Sequence, residues 1–256
     1  MYNLFLALGA AALTFLGVAL WLGPVAAAFP AVGVLALAMF LLSRRTGQLV
    51  STELEGVAPL LQARRIDEAE TKLVRVKEKY GPWQFLLAGQ IDAQLGIIDY
   101  LQLKWDSALP KLEAGKFRNA IAQTCIGAIH YRQGRKDEAW KSFASAASVS
   151  SNDVMVYCVW ATLLARDGLR TEALEAVAKG QKELPNNAVL KDLHARIANK
   201  KKIDTRAFGE GWYQFFPEEL QQQLVMRGTR APSPFAQRLG QVQQQPRPGA
   251  RHAPRR

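Results

Sequence analysis

The sequence predicts an all-α chain: two membrane-crossing helices, then about four helix pairs closed by a capping helix. Three observations predict it. Residues 1–43 contain no Asp, Glu, Lys or Arg; the middle of the chain repeats itself at an offset of 34 residues; and the end, from Arg227, carries seven Arg, five Pro and no acid. The whole formal net charge of +11, from 33 Lys+Arg against 22 Asp+Glu, therefore sits after residue 43. No later stretch is long and uncharged enough to cross a bilayer, which excludes a polytopic transporter. Two Cys, at 125 and 158, exclude a disulfide-rich secreted scaffold.

The first element runs from Leu4 to Leu22 without a polar interruption other than Thr14. A spanning helix needs roughly 20 apolar residues to cross about 30 Å of hydrocarbon. Gly23-Pro24 breaks the run, and a second one follows from Val25 to Leu42. Residues 1–43 read as a tight transmembrane hairpin, with Trp21 placed as an interfacial aromatic. Pro30 is expected to shorten the second helix. Gly9, Gly17 and Gly33 are candidate points of close helix approach. The first basic residues, Arg44 and Arg45, are expected to stay in the cytoplasm with everything after them and with the N-terminus. A cleaved signal peptide ending at Ala26-Ala27-Ala28 is the competing reading; the missing basic n-region and the immediate return of the apolar run speak against it.

Residues 50–199 carry the repeat. Gly134-Arg135-Lys136-Asp137-Glu138-Ala139 aligns with Gly168-Leu169-Arg170-Thr171-Glu172-Ala173, and the same offset relates Gly127 to Ala161, Phe143 to Val177, Ala146 to Gly180 and Ser151 to Pro185. Each position has a physical reason. Small residues let two helices cross closely, a turn Gly accepts the left-handed conformation, and Pro stops a helix. Two further units start at Arg65-Ile66-Asp67-Glu68-Ala69 and Lys104-Trp105-Asp106-Ser107-Ala108. The alanines at 69, 108, 139 and 173 are spaced unevenly, which predicts a lengthened first helix between about Trp83 and Leu103 and a shortened connection near Gly115–Asn119. An amphipathic helix from Asn187 to about Asn199 caps the array.

This pattern of small residue, turn Gly, Ala, bulky residue, small residue and Pro resembles the tetratricopeptide repeat, whose 34-residue unit is a pair of antiparallel helices. The resemblance implies a helix-hairpin solenoid whose first helices line a concave groove for a peptide or protein helix. It places groove candidates at Tyr100, at Thr124, Ala128, Tyr131 and Arg132, and at Met155, Cys158, Thr162 and Arg166. It also implies a place at the bacterial inner (cytoplasmic) membrane, as for other membrane-anchored proteins of this kind.

Residues 200–226 form an aromatic-rich segment: Phe208, Trp212, Tyr213, Phe215 and Phe216, then Pro217-Glu218-Glu219-Leu220 as a helix start. It either folds back onto the solenoid core or docks on a partner or the bilayer surface. Residues 227–256 read as a disordered basic tail. With Arg44 and Arg45, the tail residues Arg247, Arg251, Arg255 and Arg256 are candidates for anionic headgroups; nucleic acid and a merely solvated tail are the competing readings.

No GxxxxGK[ST], GxSxG, HExxH or CxxC occurs, and His130, His194 and His252 lack metal-ligand spacing. The sequence therefore argues against an enzyme, a bound metal or another cofactor. The expected function is a membrane-anchored protein–protein interaction scaffold with a protein partner. A structural subunit or an accessory factor of a larger membrane or envelope complex, with the hairpin as interface, is the alternative.

The tail makes the first testable expectation. Phe235 is its one aromatic residue, too few for base stacking, while its Arg field reaches about 8 Å at physiological salt. A peptide of residues 200–256 is expected to co-sediment with anionic vesicles at low salt and to release at high salt. Equal binding to neutral vesicles, or tight sequence-selective binding to DNA or RNA, would overturn the headgroup reading.

Overall fold

The computed structural model describes residues 2–84 and 86–226; the tail candidates Arg247, Arg251, Arg255 and Arg256 lie outside the described residues. Among the described residues the chain is helical throughout, with no strand. The described residues divide into two compact units, one up to Leu95 and one from Gly96 on.

The first unit opens with α1 (Tyr2–Leu22) and α2 (Pro24–Glu55), joined at Gly23, whose φ of 83° requires glycine. Both are long and apolar enough to cross a membrane. At 1.5 Å per residue, α1 is about 32 Å long, a match to the hydrocarbon thickness. Their outer faces are bare: Leu20, Trp21 and Phe29 are 86%, 91% and 79% exposed. Pro30 does not shorten the second helix as expected; α2 runs through it. Proline removes one rung of the ladder, and a long helix tolerates that loss early in its course. The glycines are not the points of close approach either. A Cβ added at Gly9, Gly17 or Gly33 would meet nothing within 4 Å. The buried small residues are Ala7, Ala11 and Ala27.

The open end of the hairpin is tied by polar contacts. Asn3 Nδ2 donates to Thr46 Oγ1 at 3.0 Å, both side chains buried. The N–H groups of Tyr2 and Asn3, orphans of the first helical turn, donate to the carbonyls of Pro82 and Trp83 at 2.9 and 3.4 Å. The Tyr2 and Trp83 rings meet edge to face at 5.2 Å. Arg44 and Arg45 lie exposed beside Thr46 in sequence. After Glu55 the chain continues through Gly56 into α3 (Val57–Gln62), which pairs with α4 (Ile66–Tyr80).

The boundary between the units falls within α5 (Leu87–Leu101). The second unit continues with α6 (Trp105–Ala114), α7 (Ala120–Arg132), α8 (Lys136–Val149), α9 (Val154–Arg166), α10 (Arg170–Glu183) and α11 (Ala188–Ala198). α7 pairs with α8, and α9 with α10. The uneven spacing is resolved in part as expected. α5, at fifteen residues, is longer than α7 and α9 at thirteen each, and further residues lie between Tyr80 and Leu87. The missing residues come out of α6, ten residues long against fourteen for α8 and α10.

Local chemistry recurs from pair to pair. α3, α5, α7, α9 and α11 all end in the same way. The residue after the C-cap is left-handed: Arg64, Leu103, Gly134, Gly168 and Lys200, with φ of 60°, 65°, 76°, 81° and 53°. The next N–H donates back five residues, from Arg65 to Leu60, Lys104 to Asp99, Arg135 to His130, Leu169 to Leu164 and Lys201 to Arg196, at 2.8–3.0 Å. That is a Schellman motif each time. The starts recur as well. Asn119, Asp153 and Asn187 cap α7, α9 and α11 with side-chain oxygens that accept from Ala122, Met155 and Leu190 N–H; they stand 34 residues apart. Within the pairs, Ala69, Ala108, Ala139 and Ala173 have zero exposure. A Cβ on Gly127 would come within 2.9 Å of the Phe143 ring, and one on Gly96 within 2.8 Å of Leu112.

These contacts rank a set of substitutions. Ala139→Trp and Ala173→Trp are expected to lower the melting temperature of the detergent-solubilised chain sharply, since overpacking costs roughly 1–3 kcal/mol or more. Thr124→Ala removes one buried methyl and a hydroxyl that bonds its own helix at Ala120 O, and should lower it by far less than either Trp variant, about 1 kcal/mol. Arg64→Gly, at an exposed left-handed site, should raise it by relieving about 1 kcal/mol of strain. Unchanged melting in both Trp variants would show that the helix pairs are aligned differently.

Candidate partner groove

The groove candidates sit on α5, α7 and α9, and in the second unit their faces are not open. The chain's own aromatic segment lies across them. After α11 the chain takes an irregular path to a 3-10 turn (Thr205–Phe208), then α12 (Glu210–Phe215) and α13 (Pro217–Met226). α12 packs against both α7 and α9. Gly209, φ 66°, makes the bend that starts α12. Trp212, Phe215, Phe216 and Leu220 are buried, Trp212 completely. Of the two readings of this segment, folding back is the one observed.

Arg132, the last residue of α7, is the centre of the contact. Its Nη2 donates to Phe215 O at 2.6 Å, its Nε to Glu218 Oε1 at 2.8 Å and its Nη1 to Tyr100 Oη at 2.8 Å. Tyr100 Oη in turn donates to Phe215 O at 2.6 Å. The guanidinium lies 4.6 Å from the Trp105 ring centre, 4.8 Å from that of Phe216 and 5.5 Å from that of Tyr100. Planar stacking with a donor fork is what Arg offers and Lys does not. Burial disfavours the Arg132 charge, but attraction to Tyr100 and Glu218 outweighs it, and the pKa lies above its ordinary value. Burial pushes the Tyr100 hydroxyl far up, so it stays a protonated donor.

Arg166 repeats this at the end of α9. Its Nη1 meets Glu219 Oε1 at 3.0 Å and its guanidinium covers the Trp212 ring at 5.1 Å. Trp212 Nε1 donates to Glu219 Oε2 at 2.6 Å, and the Trp212 and Phe216 rings stack at 4.4 Å. Gly211 leaves room for Met155, whose Cε would lie 2.6 Å from an added Cβ.

Of the nine candidates, Tyr100, Arg132, Met155 and Arg166 meet at this segment. The others do not present themselves to a partner. Thr124, Ala128, Cys158 and Thr162 have zero exposure, because a helix packed between neighbours hides most of its circumference. Tyr131 donates to Asp167 Oδ1 at 3.0 Å and leans on Trp140; burial and this bond push its hydroxyl up to about 12. Cys125 and Cys158 are buried and form no disulfide. Trp105, Glu218 and Glu219 were not among the sequence candidates. The signal for them was present: Arg132 and Arg166 stand one repeat apart, and an acid pair follows the aromatic cluster. Among the described residues no three His, Cys, Asp or Glu side chains gather as a metal site.

Compared with known proteins, the chain matches no family model and no curated protein.

Two measurements probe this geometry. Burial pushes the Cys158 thiol up to about 12, so neither pH 8 nor excess maleimide should label it until the chain unfolds. Arg132→Ala strands the Glu218 carboxylate and leaves Phe215 O with Tyr100 alone, and should cost about 2–3 kcal/mol, below the 3–5 kcal/mol of a fully buried pair because some water contact remains. Arg166→Ala breaks a more exposed pair and should cost under about 1 kcal/mol. Equal losses would mean that Arg132 is not the main clamp.

Proposed function

We propose that the chain is a membrane-anchored protein–protein interaction scaffold of the tetratricopeptide type. In this reading a two-pass hairpin in the bacterial inner membrane holds a helix-pair solenoid at the cytoplasmic face. Recurrent Schellman turns, Asx caps on a 34-residue register and small-on-large crossings support the repeat reading. The observation that carries the function is the clamp itself: the face formed by α7 and α9 holds a peptide-like segment through Arg132 and Arg166. A surface with this chemistry suits recognition of a protein segment. Recruitment then acts through effective concentration at the membrane, with no chemistry on the bound partner. Arg44 and Arg45 at the foot of the hairpin, and the basic tail by its composition, suit anionic headgroups.

The bare apolar surface of α1 and α2 favours a second reading, a structural or accessory subunit of a larger membrane complex that uses the hairpin as its interface. Co-purification from detergent extracts, with and without residues 1–43, separates the two. A partner kept without the hairpin is the scaffold outcome; a partner lost with the hairpin alone is the subunit outcome. Orientation is tested by a C-terminal reporter that works only outside the cytoplasm. It is expected to be silent, and activity would reverse the topology.

A further inference from the structure

We propose that residues 204–222 are a resident, exchangeable ligand of the α7–α9 face, and that the partner this face takes is a protein segment of the same chemistry. That chemistry is an aromatic cluster followed directly by two carboxylates. The proposal rests on the scaffold reading and names its partner class.

The receiving half of the site is complete without the segment. Arg132 is stacked on Trp105 and bonded to Tyr100, and neither belongs to residues 204–222. The helix pairs behind it have their own cores, with Ala139, Phe143, Ala173 and Val177 at zero exposure. The site is thus preorganised for a carboxylate and an aromatic ring, which lowers the cost of binding.

The resident segment fits this site imperfectly. Both contacts from Arg132 go to Glu218 Oε1, while Glu218 Oε2 is buried with no hydrogen-bond partner. A buried acceptor left unpaired is a penalty that a better ligand escapes, since an Arg fork can take both oxygens of one carboxylate. The attachment of the segment is also unlike that of the repeats. After each earlier Schellman turn the chain enters a second helix at once; after Lys200 it runs irregularly from Lys201 to Asp204 before the segment begins. The polypeptide that would complete the last pair instead lies across the face.

Leaving the face empty would expose Trp212, Phe215, Phe216 and Leu220, so the reaction is an exchange and not an opening. The newcomer must bring its own aromatic anchors. It also competes with a tethered ligand whose effective concentration is on the order of mM. A segment binding the vacant face with a Kd near 1 µM is therefore weakened about a thousandfold in the intact chain. Only a better-paired partner, or one concentrated on the same membrane, displaces the resident.

The probe is a fluorescent peptide of residues 204–222, added to the full chain in nanodiscs. Two variants weaken the resident segment: the double substitution Glu218→Lys, Glu219→Lys, and separately Trp212→Ala, each checked for retained helicity and melting. Both are expected to bind the peptide at least tenfold tighter than the wild type. A peptide with the two glutamates changed to lysine should lose that binding. Binding to neither folded variant, or equal binding to variants and wild type, overturns the exchange. Dimers of the variants that the peptide does not dissociate would overturn it too, by assigning the face to segment exchange between copies. Failure here with a partner still retained in co-purification leaves the scaffold reading standing. Peptide exchange with no partner retained by the chain lacking residues 1–43 removes that reading instead.

Discussion

The chain depends on the closeness with which paired helices cross. Two helices approach at 8–10 Å according to the side chains between them, and here one partner contributes almost nothing. Ala69, Ala108, Ala139 and Ala173 are fully enclosed, and Gly96 and Gly127 leave the space that Leu112 and Phe143 fill. The left-handed residue after each first helix then turns the chain back within two residues, using its N–H groups to satisfy the helix end. Crossing and turn together bring Arg132 and Arg166 to equivalent positions at the ends of α7 and α9. The clamp is a consequence of the repeat.

Much of this was legible in the sequence, because the residues concerned act locally. Ala139 and Ala173, Gly134 and Gly168, and Gly127 with Phe143 showed themselves by one shared offset. The capping ladder Asn119, Asp153, Asn187 was equally present at 34-residue spacing but hides among ordinary polar residues. Arg64, Leu103 and Lys200 were not legible as turns. They occupy the left-handed site without being Gly, which tertiary packing enforces against local preference. The continuity of α2 through Pro30 was not legible, because proline removes a hydrogen-bond rung wherever it stands and only its surroundings decide whether the helix goes on. The aromatic cluster made folding back the favoured of the two readings, but its contacts were not legible: Tyr100 and Phe215 are 115 residues apart.

The hairpin follows a different logic. If the hairpin crosses a membrane as proposed, the contact between its two apolar helices has no water to expel, so packing of small residues and a few polar bonds must hold them. Ala7, Ala11 and Ala27 supply the first, Asn3 and Thr46 the second. The polar bond lies at the open end beside the Tyr2–Trp83 pair, where Tyr and Trp sit best at a headgroup layer. α1 is thereby fastened both to α2 and to the connection after α4.

The acid pair of the resident segment shows why its register is fixed. Consecutive residues on a helix point about 100° apart, so one helix start can serve two different receptors only with adjacent residues. Glu218 turns to Arg132 and Glu219 to Arg166 and Trp212. A slip of one residue would bring Glu219 to Arg132 and set Leu220 against Arg166, leaving one guanidinium unpaired and an apolar anchor in water. Apolar packing alone, with Trp212, Phe215 and Phe216 of similar shape, would tolerate such a slip. The two arginines, one repeat apart, convert a sticky aromatic contact into one with a single register. Under the exchange proposed above, a partner segment is held to the same requirement: aromatic anchors would give it hold, and two adjacent carboxylates alignment.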